Sequence, residues 1–137
     1  MIAADVEELV VTYLSQTLSN VGVQMPANPP SPFYLVQRIA GGDDMITDHA
    51  VVSVHSFASG TDAVSAHTAA STAARQAHLL MNPFTLTPKL SFALSSGTAF
   101  VDHICTLETP AWRDYENPQL ERYCARYRIC LRMNQTS

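Results

Sequence analysis

Charged residues are scarce in this chain. They make up 15% of its 137 residues, against roughly a quarter in an average soluble domain. Because apolar residues make up 47%, much of the surface must be neutral or apolar, which favours an interface shared between copies. A monomer with a surface rich in Ser, Thr and Asn is the alternative.

The sequence also lacks the motifs of common enzymes. Its five glycines form neither GxxxxGK nor GxGxxG, so we do not expect nucleotide binding. Neither GxSxG nor another signature of an activated nucleophile occurs. We therefore expect no enzymatic activity, no catalytic residue and no cofactor.

Cysteine is rare, and membrane-spanning segments are not expected. Cys105, Cys124 and Cys130 form no CxxC pair, and an odd number predicts reduced, packed thiols. No apolar run reaches the length of a membrane span, and the N-terminus is acidic where a targeting peptide would be basic. These features predict a protein of cytosol-like solution.

The net charge of −4 argues against a general affinity for nucleic acid, so that any DNA contact would have to be local. Histidine spacing excludes a metal site built from neighbours in sequence: His67 and His78 lie on one predicted helix, and His49 and His55 on one predicted strand, each pair too far apart to share an ion. A site built from distant elements around His103 stays open, but we expect no metal.

Hydrophobic periodicity predicts a single α+β domain over residues 1–137, with two main helices on one face of a mostly antiparallel sheet of about four to five strands. Asp5 and Glu8 form a predicted capping box for the first helix. A proline-rich connector follows at residues 22–32, and a β-hairpin at residues 33–40 and 49–58 has a long tip at residues 41–44. The second helix begins after Thr61 or Asp62, presents alanines on one face and ends at Asn82 and Pro83.

The last third of the chain alternates in the manner of strands. Residues 98–109 place Phe100, Asp102 and Ile104 on one predicted face and Val101, His103 and Cys105 on the other. Residues 122–133 predict a long final strand with Arg122, Arg126, Arg128 and Arg132 on one face. This stripe has three interpretations: a solvated face, ion pairs between copies, or a track for the phosphate backbone of DNA.

Residues 110–118, PAWRDYENP, predict a structured, projecting loop between these two strands. The residue types of Trp112, Arg113, Asp114 and Tyr115 are suited to a binding interface, since Trp, Arg and Tyr dominate interface hot spots. A lid folded onto the chain's own core is the alternative. Asp43 and Asp44 at the hairpin tip are further interface candidates, because they could pair with the basic stripe of a neighbouring copy.

The order of these elements resembles that of tail terminator proteins of siphophages, especially those of actinobacterial phages. The resemblance covers nearly the whole chain: an acidic N-terminal helix, the proline-rich link, PFYLVQRIAGGDD, DHAVVSVHSFASG, an alanine-rich helix and closing strands around PAWRDYENP. No single motif among these is diagnostic.

The resemblance implies a structural virion protein at the tail neck, assembled in the host cytoplasm. Such proteins form a hexameric ring that caps the tail tube, ends its polymerisation and joins it to the head connector, while DNA passes through the lumen without sequence-specific binding. The expected partners are other copies of the chain, the major tail tube protein and the connector protein. Another neck component is one alternative, and a small-molecule-binding or catalytic domain with a pocket near His55, His67 or His103 is a second.

Overall fold

The computed structural model describes residues 5–44, 46–86, 91–95, 97–115 and 119–132. Two helices and six strands lie along the chain in the order α1 (Val6–Ser15), β1 (Val21–Gly22), β2 (Phe33–Asp43), β3 (Thr47–Ala58), α2 (Ala63–Leu86), β4 (Ser91–Leu94), β5 (Gly97–Arg113) and β6 (Glu121–Arg132).

The strands form one sheet in the order β1-β2-β3-β6-β5-β4. Only β1 and β2 pair in parallel, and the other neighbours are antiparallel. The α+β class with two helices and a mostly antiparallel sheet is therefore confirmed, but the prediction of four to five strands was too low. The extra strand is β1, whose two residues are too few to produce a periodic pattern in the sequence.

α1 begins where the sequence predicts. The Asp5 side chain caps the helix by accepting hydrogen bonds from the backbone N–H groups of Glu7 and Glu8. The Glu8 carboxylate of the predicted capping box accepts hydrogen bonds from the backbone N–H and the hydroxyl of Ser95. Glu8 thus attaches the helix to the turn after β4.

α2 is capped at Asp62, whose carboxylate accepts a hydrogen bond from the backbone N–H of Ser65 at 2.7 Å. The prediction that Asn82 and Pro83 end this helix was wrong, since α2 continues to Leu86. Tertiary packing overrides the proline: Met81 is fully buried, and the Tyr13 hydroxyl donates to the Leu80 carbonyl at 2.5 Å. That contact anchors α2 in the turn before Pro83.

The hairpin of β2 and β3 is confirmed, but its long tip was wrong. β2 continues through Gly41 and Gly42 to Asp43, which pairs with Asp48 of β3. Gly41 has a φ of 98°, and a Cβ there would lie 1.9 Å from the His49 carbonyl oxygen. The glycines that predicted a turn at the hairpin tip instead allow the two strands to approach closely.

β5 is longer and less regular than predicted. Residues 110–113 belong to this strand, which corrects the projecting loop predicted at residues 110–118. Residues 116–118 of that prediction lie outside the described residues. Register shifts occur between Val101 and His103 and at two later points. The first shift places both Val101 and Ile104 in the core, which contradicts the predicted alternation of residues 98–109 because each bulge inverts the side-chain parity.

Both helices pack on one face of the sheet, which we call the helix face. The alanines Ala73 and Ala77 of α2 let the helix approach the sheet closely, as predicted. The main core is the buried set Val6, Leu9, Val10, Leu14, Tyr34, Val36, Ala50, Val52, Val54, Ala73, Ala77, Met81, Ala99, Val101, Ile104, Ala125, Tyr127, Ile129 and Leu131. The opposite side of the sheet carries the polar residues that bear on function.

Candidate interaction surface

The predicted arginine stripe lies on the side of the sheet away from the helices, which we call the arginine face. β6 is a central strand between β3 and β5, and its residues alternate between core positions on the helix face and arginines on the other. The stripe is formed by Arg122, Arg126, Arg128 and Arg132. Arg113 of β5 pairs with Arg122 and therefore lies on the same face.

Most of these arginines contact acceptors within the chain. Arg132 forms an ion pair with Asp102 at 2.7 Å, and Arg126 lies 3.7 Å from Glu108. Arg113 reaches the other oxygen of the same carboxylate at 3.5 Å. Because these pairs are solvent-exposed and mostly long, each contributes little to stability, on the order of 0–1 kcal/mol.

Arg122 and Arg128 differ from the rest of the stripe. The Arg122 guanidinium donates to the Asp114 carbonyl and lies 5.3 Å from the ring centroid of Tyr115. Arg128 is exposed and forms no hydrogen bond or ion pair with another described residue. The Arg128 guanidinium, on the arginine face of the sheet, is thus left to solvent or to a partner.

The described residues of PAWRDYENP, 110–115, lie on opposite faces of the sheet. Tyr115 packs edge-on against Phe57, with ring centroids 4.8 Å apart, in a second small cluster on the arginine face. This contact agrees with the lid alternative for Tyr115. Trp112 pairs with Tyr123 on the helix face and keeps 46% of its surface exposed.

Trp112 borders a shallow groove at the N-terminal end of α2. Its indole N–H donates to the Glu121 carboxylate at 2.6 Å, which fixes the ring orientation. The groove is lined by Ala63, Val64, His67, Thr68, Trp112 and Glu121, and Val64 is 76% exposed. Exposed Trp and Val side chains in one groove are suited to contact with another protein.

The acidic hairpin tip is partly structural. The Asp44 carboxylate accepts backbone hydrogen bonds from Ile46 and Thr47, and these, with the His49 side chain, lower the pKa of Asp44 to about 2. Asp48 is buried and forms a two-point ion pair with Arg38 at 2.6 and 2.7 Å. The tip is therefore ordered by its own carboxylates, and Asp43 belongs to β2.

Asp43 and Asp44 lie at one end of the sheet and residues 112–115 at the other, while the predicted interface arginines of β6 extend between these ends. Thr47, beside the hairpin tip, pairs with Arg132, whereas Trp112 and Arg113 pair with residues at the start of β6. Arg122 and Arg132 are ten residues apart on one strand, or roughly 33 Å. Within one copy, Asp43 and Asp44 cannot form a single patch with Trp112, Arg113, Asp114 and Tyr115.

The histidines do not form one pocket. His67 and His78 extend from α2 to Tyr123 and Tyr127 of β6, with hydrogen bonds of 2.8 and 2.7 Å. His55 lies on the arginine face, where burial and then Arg122 and Arg126 lower its pKa to about 4. The alternative of a small-molecule pocket near His55, His67 or His103 stays a hypothesis: His67 lines the groove beside Trp112, whereas His55 and His103 lie on the other side of the sheet.

The chemistry available to these side chains is limited. The Cys130 Sγ lies 3.3 Å from His49 Nδ1, a pairing that could activate a nucleophile. Burial, however, raises the pKa of the Cys130 thiol, the opposite of what a reactive cysteine requires. All three cysteines are free, as predicted.

Metal-binding clusters and membrane-spanning helices are both absent from the described residues. No group of three or more His, Cys, Asp or Glu side chains there is placed to hold a metal ion. None of the helices in the described part of the chain combines the length and apolarity needed to cross a membrane.

Comparison with known proteins yields a structural relative. No protein-family model matches the chain, and no curated protein is similar in sequence. Among solved structures, a chain from the virion of a native gene transfer agent particle superimposes with a TM-score of 0.56, covering 90% of this chain and 91% of that chain at 12% identity. The likeness is one of fold.

Sequence reasoning missed several of these features. The Arg38–Asp48 pair and the His49–Cys130 contact join residues whose proximity depends on strand register, and the register depends on bulges that leave no periodic signal. The exposed groove beside Trp112 could not be predicted without the position of α2 on the sheet. Only the arginine stripe was visible in full, because alternation along one strand is a local property.

Proposed function

We propose that this chain is a structural, non-catalytic protein of a phage-like virion. The main support is the fold that this chain shares with a chain of a gene transfer agent virion over nine-tenths of both molecules. A virion protein has to bind neighbours on several sides, and the exposed Trp112 groove and the charged Arg128 are surfaces suited to such contacts.

Within that class, we propose the role of tail terminator: a ring, hexameric by the family resemblance, that caps the tail tube and joins it to the head connector. Support comes from the position of the candidate residues at opposite ends of the sheet. A contact between unlike surfaces of successive copies generates a ring when its rotation closes. Asp43 and Asp44 at one end would then face the groups at the other end, Trp112 to Tyr115, on the next copy.

Binding to the cognate tail tube tests this role. Purified chain is mixed with assembled tail tubes and sedimented, and we expect it to co-sediment at the tube ends in a ratio of one ring to one tube. A Trp112→Ala variant should lose assembly while keeping its melting temperature within about 2 °C, since an exposed surface substitution costs about 0.5 kcal/mol. Arg75→Ala, at an exposed position on α2, is the matched surface control.

Two outcomes contradict the proposal. If the chain ignores tubes but binds purified connector, it is a different neck component. If it binds neither and a metabolite panel raises its melting temperature, a ligand-binding domain replaces the structural role.

A further inference from the structure

We infer that the arginine face of the sheet binds the phosphate backbone of nucleic acid, without reading sequence. This binding function is separate from the ring contacts proposed above and does not depend on them.

Positive charge is concentrated on this face. The chain has eight Lys and Arg residues and a net charge of −4, yet five arginines lie here: Arg113, Arg122, Arg126, Arg128 and Arg132. The carboxylates paired with them are Asp102 and Glu108. An acidic protein thus carries one locally basic surface, which is what a local contact with a polyanion requires.

The geometry suits an extended chain of phosphates. Arg126 and Arg128 stand about 6.6 Å apart at alternate positions of β6. Arg122 and Arg132 lie about 13 Å further along in each direction, because Cys124 and Cys130 intervene, so the stripe is roughly 33 Å long. One helical turn of DNA measures about 34–36 Å. Guanidinium groups bind phosphate oxygens in a two-point manner, which lysines cannot do.

The arginines are also available. Arg128 is exposed and bonds to no other described residue, and the 3.7 Å contact between Arg126 and Glu108 is exposed on both sides. Exposed ion pairs of this kind contribute about 0–1 kcal/mol, so a phosphate can replace the carboxylate at small cost.

A second copy of the chain is the competing occupant, through Asp43 and Asp44. Those carboxylates are partly engaged, because Asp44 accepts hydrogen bonds from Ile46, Thr47 and His49. Two acidic groups also do not match a stripe of five arginines. Nucleic acid, with a charge at every phosphate, does.

The test is the fluorescence anisotropy of a labelled DNA duplex of about 30 base pairs, about three helical turns, titrated with the full chain at several salt concentrations. Each phosphate contact makes the slope of log affinity against log salt steeper, that is more negative, by about 0.9. A fourfold rise in salt therefore weakens binding about 3.5-fold per contact. We expect Arg126→Ala/Arg128→Ala to reduce the slope by about 2 and the affinity at low salt by on the order of tenfold.

Single variants separate this face from net charge. Arg128→Ala and Arg75→Ala each remove one exposed arginine, from the arginine face and from α2 on the other side of the sheet. We expect only Arg128→Ala to make the slope of log affinity against log salt shallower, by about 1. A second duplex of scrambled sequence should bind equally well.

Three results overturn the inference: no binding of the wild-type chain to DNA at low salt, equal losses for Arg128→Ala and Arg75→Ala, or self-association lost in the double variant with DNA affinity unchanged. The last result would assign the face to a neighbouring copy. Light scattering on the same samples reports ring formation separately, so a failure of the ring proposal is distinguishable from a failure of this one.

Discussion

The helix face and the arginine face are built from the same strands but keep different kinds of side chains. On β6, Tyr127 and Ile129 are buried beneath α2, while Arg126 and Arg128, which alternate with them, are exposed. One face holds the molecule together and tolerates little change. The exposed arginines of the other face contribute little to folding and can contact other molecules, while Phe57 and its neighbours form a small buried cluster there.

The strongest test of this contrast uses neighbouring residues of β6. Ile129 is fully buried in the main core, and Ile129→Ala should lower the free energy of unfolding by about 3 kcal/mol because it leaves a cavity. Arg128→Ala on the adjacent position should change it by no more than about 0.5 kcal/mol. Urea denaturation followed by circular dichroism measures both, and similar losses in the two variants would contradict the division into faces.

Ion pairs on the two faces of the sheet should differ in the same way in their contribution to stability. Asp48→Ala removes a buried carboxylate that holds Arg38 at two points, and we expect a loss of about 2–3 kcal/mol, since charge-assisted, two-point pairs are among the stronger hydrogen bonds. Glu108→Ala removes an exposed partner of Arg113 and Arg126, with an expected loss below about 0.5 kcal/mol. Thermal melts of both variants at low and high salt provide the comparison, and an equal cost would contradict it.

His55 is the part of the arginine face where burial still matters. Its pKa of about 4 lies below the ordinary 6.5, first because of burial and then because of Arg122 and Arg126. The folded state therefore keeps His55 neutral while the unfolded chain takes up a proton, so its contribution to stability is full above pH 6.5 and is lost as the pH falls towards 4. Allowing for partial solvent screening, we expect a loss of on the order of 1–2 kcal/mol across this window.

Denaturation of the wild type and of His55→Gln at several pH values isolates this effect. The variant should lose less stability on acidification than the wild type. His103→Gln, on the same face, is the control for losing a histidine. A wild-type curve parallel to that of His55→Gln would refute the assignment.

The smallest expected effect concerns two matched hydrogen bonds between α2 and β6. Tyr127→Phe removes the bond from a buried hydroxyl to His78 and should cost about 1 kcal/mol. Tyr123→Phe removes the corresponding bond to His67 in an exposed setting, with an expected cost of a few tenths of a kcal/mol. Melting temperatures of the two variants, measured side by side, rank them, and the reverse order would count against the assignment of α2 to the more stable face.

Local patterns predicted much of the fold. Alternation along β6 identified both its core residues and its arginines, and Asp62 with the alanines that follow identified α2. What failed depended on contacts distant in sequence. Pro83 did not end α2, Gly41 and Gly42 formed strand instead of turn, and bulges inverted the faces of β5.

The candidate surface was predicted in composition but not in arrangement. The sequence grouped Trp112 to Tyr115 into one loop, whereas the strand through Arg113 places Trp112 and Tyr115 on opposite faces. Asp43 and Asp44 lie at the far end of the sheet from both. Three-dimensional separation of this kind follows from strand register and cannot be obtained from residue types.

The most direct test of the proposed role is the molar mass of the purified chain by light scattering over a series of protein and salt concentrations. The account predicts a species of six copies, about 90 kDa from a chain of 15.0 kDa, that dissociates in Trp112→Ala but not in Arg75→Ala. A constant mass of 15.0 kDa in the presence and absence of tail tubes would contradict it.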